Sequence, residues 1–509
     1  MDYYKAFQSL VKSEKIESKQ AVFFKGRATT YGELLDEADR VAIALSSVCG
    51  VKKGDTVGIY LGNCPQFLSI VLGIAQIGAI AQPASMLLTE YELKPQFDQA
   101  KPKAVFVSPV FLPTLEKIGS PGLESQNIIV MGDQADKKHG SYVNFLRQAH
   151  GKLPAVSLNG NDVVLVLFTA GTTGTPKGVM LTHKNLLAVI NGQAKRTTGV
   201  GELVSLCAVP LTHIFGLNTL TFASLFRKWP VVMVEWFQPE EVAQMIETYR
   251  ISYAVGVPLM IQALVDLSDK YDMKSLRLLV CGAAPVPEEL YNRVEKKLPC
   301  ILIEGWGLTE GSGNATLTEI GVRKIGSCGK PYEGIECAVV NEDDKILPAG
   351  EAGELVQRGA ATMKGYLGNP EATKEALKNG WLHTGDIARI DKDGYFYIVD
   401  RKKDMIIRGG FNIYPSEVEA ALYTLPDVIE AAVFGVQDER KGETVASAVR
   451  LKPDSKISEQ ELITYCQSRL ARYKVPKYIK IVKEPLSRTM TGKIQRRIIK
   501  EQFAHEFTK

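Results

Sequence analysis

The chain has 509 residues, 45% of them hydrophobic and 23% charged, which excludes a mainly disordered chain, a collagen and a small disulfide-stapled scaffold. At roughly 100–200 residues per domain, that length predicts two to four domains. Sixty-one basic against 57 acidic side chains leave a net charge of +4, too little for a global field that would draw nucleic acid, although residues 401–509 carry 21 basic and 14 acidic side chains, an excess that reads first as a solvated basic surface and alternatively as a surface for a phosphorylated ligand.

Apolar runs alternate with amphipathic segments over the first 400 residues. Residues 57–61, 104–107, 127–130, 163–168, 205–209 and 231–235 read as short buried strands. Between them, 31–47, 65–77, 239–249 and 259–267 read as helices. This alternation predicts α/β layers rich in parallel strands. The texture changes near residue 335, where 336–341, 353–358, 387–390 and 395–399 read as strands joined by Gly, Asp and Pro turns. Asp391-Lys392-Asp393-Gly394-Tyr395 is a hairpin signal. After a polar break at Arg401-Lys402-Lys403-Asp404 come a helix (415–423), two strands (428–436 and 443–451), a helix (458–470) and a basic tail. The expected organisation is an N-terminal domain over 1–401, with a small β subdomain at about 335–400, followed by an α+β domain over 402–509.

Eight scattered cysteines form no C-x-x-C pair and no zinc spacing, so reduced thiols are expected. No signal-peptide core follows Met1. The longest apolar run, 67–81, is broken by Ser69 and Gln76 and is too short to span a bilayer. Phe507-Thr508-Lys509 is not a peroxisomal tripeptide. These features predict a cytoplasmic protein without a transmembrane segment. They leave a homodimer open.

The strand expected at 163–168 runs into Phe168-Thr169-Ala170-Gly171-Thr172-Thr173-Gly174-Thr175-Pro176-Lys177-Gly178. Glycines let the backbone approach an anion closely, threonines add neutral donors and Lys177 adds a positive charge. It is not a Walker A loop, because no Ser or Thr follows the lysine into a helix. Here the sequence resembles the adenylate-forming enzymes, which include acyl-CoA synthetases, stand-alone adenylation domains and luciferases. In that family the loop holds the β- and γ-phosphates of ATP. Ala170 stands where the family usually has Ser, one hydroxyl donor fewer. The resemblance continues through Thr30-Tyr31-Gly32-Glu33-Leu34, read as structural, to the end of the chain.

Each further motif carries an implied role. Pro210-Leu211-Thr212-His213-Ile214-Phe215-Gly216-Leu217-Asn218 resembles the acyl-pocket segment, with His213 near the carboxylate and Phe215, Asn218 and Thr219 along the pocket. A lone histidine beside apolar residues would otherwise read as a core histidine. Gly282, Ala283 and Ala284, in the run Cys281–Pro285 that follows the strand expected at 278–280, imply contacts to adenine and one wall of the acyl channel, together with Val257 and Gly305. In Gly305-Trp306-Gly307-Leu308-Thr309-Glu310, Trp306 replaces the usual Tyr and retains a face to stack on a purine. Thr309 would reach the α-phosphate and Glu310 would hold Mg²⁺. Asp386 in Trp381-Leu382-His383-Thr384-Gly385-Asp386 would accept the ribose hydroxyls beside Arg401, and Lys403 would be a hinge. Gly409, Gly410 and Phe411 imply the pantetheine passage, with Lys441 near CoA. Lys493 in Thr489-Met490-Thr491-Gly492-Lys493 would neutralise charge during adenylation. Ser487 stands where a Pro is usual.

These motifs span the chain from Thr30 to Lys493. They imply a two-step reaction: a carboxylate attacks the α-phosphorus of ATP to give acyl-AMP and pyrophosphate, and the C-terminal domain then rotates at Lys403 so that CoA displaces AMP. No acidic side chain marks the pocket segments, which argues against an amino acid substrate. Phe215, Val255, Gly256, Val257, Ala283 and Val286 suggest an apolar channel. A medium- or long-chain fatty acid is favoured, with an aryl or arylpropenoic acid as the alternative acyl group and a carrier protein as the alternative acceptor. A non-catalytic AMP or acyl-CoA binder is the remaining reading, and intact Lys177, Glu310, Asp386 and Lys493 argue against it.

Overall fold

The computed structural model describes residues 2–133, 138–153, 155–169, 176–284, 286–408, 411–438, 442–488 and 494–507. By packing, the chain divides into two compact units, Met1–Cys337 with Gln357–His383, and Ala338–Val356 with Thr384–Lys509.

The first unit is built on two large sheets. In the nine-stranded sheet six neighbours run parallel: Ile301–Leu308, Leu278–Cys281, Tyr253–Gly256, Ser205–Cys207, Val231–Met233 and Gln20–Phe24. Antiparallel strands complete both edges. In the eight-stranded sheet, Val163–Thr169, Ile80–Pro83, Thr56–Tyr60, Ala104–Val107, Ile128–Val130 and Gly140–Ser141 run parallel in that order. Lys177–Thr182 and the two-residue strand Gly365–Tyr366 add antiparallel at one edge. Helices cover these sheets because their apolar positions recur every three to four residues. Helix Tyr31–Ser47 buries Leu34, Leu35, Ala38, Val41, Ala42 and Leu45, and it starts at a capping box between Thr30 and Glu33. The mixed α/β class is as expected from the sequence. Among the described residues no helix is long and apolar enough to cross a membrane.

The second unit holds the greater part of the four-stranded sheet Ile335–Val340, Ala352–Gly359, Leu382–Ile390 and Phe396–Arg401. Its last two strands are joined by the expected hairpin, closed by the Asp391 N–H to the Tyr395 carbonyl at 2.9 Å. A second sheet pairs Val428–Asp438 with Gly442–Leu451 and extends to Ile406–Arg408 and Phe411–Ile413. The basic tail expected after residue 470 is instead ordered. Strand Tyr478–Val482 adds parallel to Gly442–Leu451, and helix Arg496–Phe507 follows. Ile499, Phe503 and Phe507, four residues apart, lay one face of that helix on Ala432, Phe434, Ala446 and Ala448. Helix Tyr3–Ser13 also went unread. It buries Tyr3, Tyr4, Phe7 and Val11 and is capped by Asp2, whose carboxylate accepts from the Lys5 N–H at 2.8 Å.

Candidate active site

Strands Val163–Thr169 and Lys177–Thr182 form an antiparallel pair in which Thr169 faces Lys177. The register brings the two described ends of the glycine-rich loop together. Gly171, Thr172, Thr173 and Gly174 lie outside the described residues. The Lys177 ammonium sits 5.0 Å from the centroid of the Tyr366 ring. The Tyr366 hydroxyl donates to Glu310 Oε1 at 3.0 Å. One buried tyrosine thus touches both the expected phosphate lysine and the expected metal carboxylate. Burial and the Glu310 charge push its phenol well above the ordinary pKa, so it stays a donor. Glu310 itself lies in the 3-10 turn Thr309–Gly311, directly after strand Ile301–Leu308. Ser312 takes a left-handed φ of 64° and closes the turn with its N–H on the Thr309 carbonyl at 2.9 Å. The Ser312 hydroxyl donates to the Ala361 carbonyl at 2.7 Å, and the Met363 N–H donates to the Glu310 carbonyl at 2.8 Å. Thr309 is buried beside them.

Three of the expected pocket residues, Phe215, Gly282 and Gly305, lie side by side. Gly282 ends strand Leu278–Cys281 with its N–H on the Gly256 carbonyl at 3.1 Å, next to the buried Val257. A Cβ on Gly282 would lie 3.1 Å from the Phe215 ring and 3.6 Å from the Gly305 carbonyl, so these three residues share one wall. Ala283 holds φ at 69°, a left-handed conformation that a non-glycine residue adopts only under constraint, and Ala284 follows in the same bend. Gly307 has no alternative, because a Cβ there would stand 1.9 Å from the Gly313 carbonyl. Between the two glycines, Trp306 is buried.

His213 is exposed, and its Nδ1 accepts the Phe215 N–H at 3.2 Å, which places its ring proton on Nε2. Phe215 opens the π-helical segment Phe215–Phe222. Within that segment Asn218 is committed to packing: its Oδ1 accepts from Tyr3 at 3.0 Å, and its Nδ2 donates to Leu186 at 3.2 Å and to Ser312 at 3.5 Å. Thr219 is buried with its hydroxyl oxygen 3.4 Å from the Asn314 N–H.

In the second unit Asp386 faces Arg401 across the antiparallel pair, and the Arg401 Nε reaches Asp386 Oδ1 at 2.6 Å. Asp386 is only 3% exposed. The turn before it takes its shape from Gly385, at φ 70°, whose N–H donates to Glu354 Oε1 at 3.1 Å. Lys402 pairs with the other oxygen of Glu354 at 3.0 Å. Lys403 is exposed in the 3-10 turn Lys402–Asp404. Phe411 is exposed and stacks on Tyr473 with centroids 4.8 Å apart. Gly409, Gly410, Lys441 and Lys493 lie outside the described residues. The segment that carries Lys493 is closed at its base by a bridge between Arg488 and Ile494. Ser487 donates its hydroxyl to Gln495 at 2.8 Å there and so has a tether of its own where the family usually has Pro.

The sequence matches the family described as AMP-binding enzyme over residues 11–367, and the AMP-binding enzyme C-terminal domain over residues 417–493. The chain belongs to the AMP-binding enzymes. It is 34% identical to a long-chain-fatty-acid–CoA ligase of Bacillus subtilis, over 98% of this chain and 94% of that protein. It is 35% identical to a feruloyl-CoA synthase of Amycolatopsis, over 95% of this chain and 96% of that one. Among solved structures, the ATP-bound MatB of Rhodopseudomonas palustris superposes with a TM-score of 0.91 at 27% identity, covering all of both chains. Within the family, the chain stands on the acyl-CoA synthetase branch.

Three groups of this AMP-binding enzyme escaped the sequence reading. Tyr366 is one, and a two-residue strand offers no periodicity by which to find it. Glu304, two residues before Trp306, is another. Its carboxylate accepts from the Val286 N–H at 2.9 Å, the Gly326 N–H at 3.1 Å and the Tyr291 hydroxyl at 3.1 Å. It therefore holds the far end of the loop that begins at Gly282, and burial pushes its pKa up to about 7. The third is Arg496, which reaches Asp400 at 3.1 Å, Asp404 at 3.3 Å and Glu419 at 2.6 Å. Its contacts bracket Lys403 in sequence, which the pattern of a basic helix could not reveal.

Proposed function

We propose that this AMP-forming acid–CoA ligase activates a medium- or long-chain fatty acid. The observation that carries the acyl assignment is the wall shared by Phe215, Gly282 and Gly305, on which, among the described residues, no carboxylate stands to hold an amino group. Similarity to a long-chain-fatty-acid–CoA ligase over nearly the whole chain supports it. The feruloyl-CoA synthase relative favours an arylpropenoic acid as the second reading, since a flat ring also fits an apolar wall.

The chemistry needs no protein nucleophile. A carboxylate oxygen attacks the α-phosphorus, and the bond to pyrophosphate breaks. The CoA thiolate then attacks the acyl carbonyl, and AMP leaves. In this reading Thr169, Gly171, Thr172, Thr173, Gly174 and Lys177 hold the β- and γ-phosphates, and Thr309 and Lys493 meet the α-phosphate. Gly282, Ala283 and Ala284 line adenine, Trp306 stacks on it, and Asp386 and Arg401 take the ribose. Glu310 suits Mg²⁺: it is a hard oxygen donor, half-buried and oriented by Tyr366, and magnesium commonly takes one or two carboxylates with the remaining positions on phosphates and water. When bound, the ion would neutralise phosphate charge. Residues 402–509 would swing at Lys403 and bring Gly409, Gly410, Phe411 and Lys441 to CoA. Eight free cysteines suit a cytoplasmic setting.

AMP release is the test, measured with ATP, Mg²⁺ and C4–C18 fatty acids, benzoic acid and cinnamic acids, each with and without CoA. The expected result is CoA-dependent turnover that peaks at one aliphatic chain length. A peak on cinnamic acids would select the second reading. Acyl-AMP formation indifferent to CoA would overturn the acceptor and point to a carrier protein.

A further inference from the structure

Lys177 and Glu310 carry opposite charges and touch the same side chain, yet no salt bridge joins them. Tyr366 contacts both. Its ring face receives the ammonium at 5.0 Å and its hydroxyl donates to the carboxylate at 3.0 Å. A ring face attracts a cation without occupying its N–H donors, and a hydroxyl donor leaves three of a carboxylate's four lone-pair sites available.

The ring is fixed by its own backbone, independently of the two charges it serves. Strand Gly365–Tyr366 is clipped to Lys177–Thr182 by the Leu367 N–H on the Gly178 carbonyl at 2.7 Å and the Lys364 N–H on the Met180 carbonyl at 2.9 Å. The Tyr366 N–H donates to the Thr373 hydroxyl at 2.9 Å. Gly365 is required there: φ is 146°, and a Cβ would stand 2.7 Å from Thr373. Tyr366 is 9% exposed. One rigid clip therefore positions the strand that carries Lys177, the turn that carries Glu310 and the side chain between them.

We propose that Tyr366 is a positioning residue for adenylation: it orients the Glu310 carboxylate towards the metal–phosphate site and prevents Lys177 and Glu310 from neutralising each other before the nucleotide arrives. The proposal rests on the roles given above to Lys177 and Glu310.

The test compares Tyr366→Phe and Tyr366→Leu with the parent enzyme. Calorimetry gives the affinity for ATP with and without Mg²⁺, and rate measurements give the Mg²⁺ concentration for half-maximal adenylation. The phenylalanine variant keeps the ring under Lys177 and loses only the donor. It should need about tenfold more Mg²⁺, the usual size of effect for a partner that orients a metal ligand. Its KM for the acid, and thioester formation from supplied acyl-AMP, should stay within twofold. The leucine variant should in addition bind metal-free ATP several-fold more weakly, because Lys177 is then drawn onto Glu310. In a Glu310→Gln background, Tyr366→Phe should change nothing further. An unaltered Mg²⁺ requirement in Tyr366→Phe, equal loss of both half-reactions, or full additivity with Glu310→Gln would each overturn the proposal. If the parent enzyme activated none of the acids, the substrate reading would fall, while the calorimetric comparison would still decide the role of Tyr366. If the leucine variant failed to fold, the phenylalanine variant and the double variant carry the decision.

Discussion

A buried carboxyl whose pKa is pushed up to about 7 links the loop after Gly282 to pH. Glu304 binds more protons folded than unfolded between its ordinary pKa of 4.5 and about 7. That preference stabilises the fold in full below the unfolded value and is lost as pH rises through the folded one. A Gln at this position does not titrate. Relative to Glu304→Gln, the parent should therefore lose up to about 3 kcal/mol of stability between pH 5 and pH 8, from a shift of this size at 1.36 kcal/mol per unit. Gln also turns an amide NH₂ toward backbone donors, which costs roughly the same at every pH, so the prediction lies in the slope rather than the offset. Urea unfolding at pH 5, 6, 7 and 8 reads it, and parallel curves for the two proteins would refute it. His183 titrates in the opposite sense. Burial pushes it down to about 4, and its Nδ1 accepts the Tyr3 N–H at 3.2 Å, so its contribution is lost as pH falls from 6.5 towards 4.

At the scale of elements, Arg496 has the largest consequence. It begins the C-terminal helix and joins Asp400, Asp404 and Glu419 around the exposed turn that holds Lys402 and Lys403. Asp400 is only 6% exposed, and its other oxygen accepts the Ser416 N–H at 2.7 Å. Arg496→Met would leave that carboxylate without its cation, at a cost of about 3 kcal/mol. The turn should then open locally, and trypsin should cut after Arg401, Lys402 or Lys403 at least tenfold faster under native conditions. An unchanged cleavage rate would show that the turn is held by other contacts. This helix also shows where sequence patterns stop. Helices Tyr31–Ser47 and Pro239–Tyr249 are legible to the residue, because a capping box or a Pro at the first turn marks where each begins and their apolar stripes are regular. In Arg496–Phe507 the first turn is basic and only Ile499 is fully buried, so its stripe is too thin to register. Strand Tyr478–Val482 interrupts its apolar residues with Lys480 and reads as part of the same basic run.

Over the whole molecule, what is legible is what a motif can carry in a few consecutive residues. Gly305 and Gly307 flank Trp306 because the Asn314 side chain at the one and the Gly313 backbone at the other fill the space where a Cβ would be, and such constraints leave a fixed spacing in the chain. Tyr366 and Glu310 stand 56 residues apart and meet only because an edge strand returns to the sheet, which no local pattern records. The residues to which roles are proposed are split between the two compact units: Lys177 and Glu310 belong to the first, while Asp386, Arg401 and the loop bearing Lys493 belong to the second. If Lys493 serves only adenylation, the half-reactions must separate when it is removed. Lys493→Ala should slow acyl-AMP formation by about 10²–10³-fold, the cost of one lost electrostatic donor at a developing charge. Thioester formation from supplied acyl-AMP should survive within a fewfold, because in the proposed reading rotation of the C-terminal domain at Lys403 withdraws Lys493 before CoA attacks. Following each half-reaction by AMP and acyl-CoA release distinguishes the outcomes. Equal loss of both would mean that Lys493 holds the nucleotide throughout, and the division of labour between the two reaction steps would have to be redrawn.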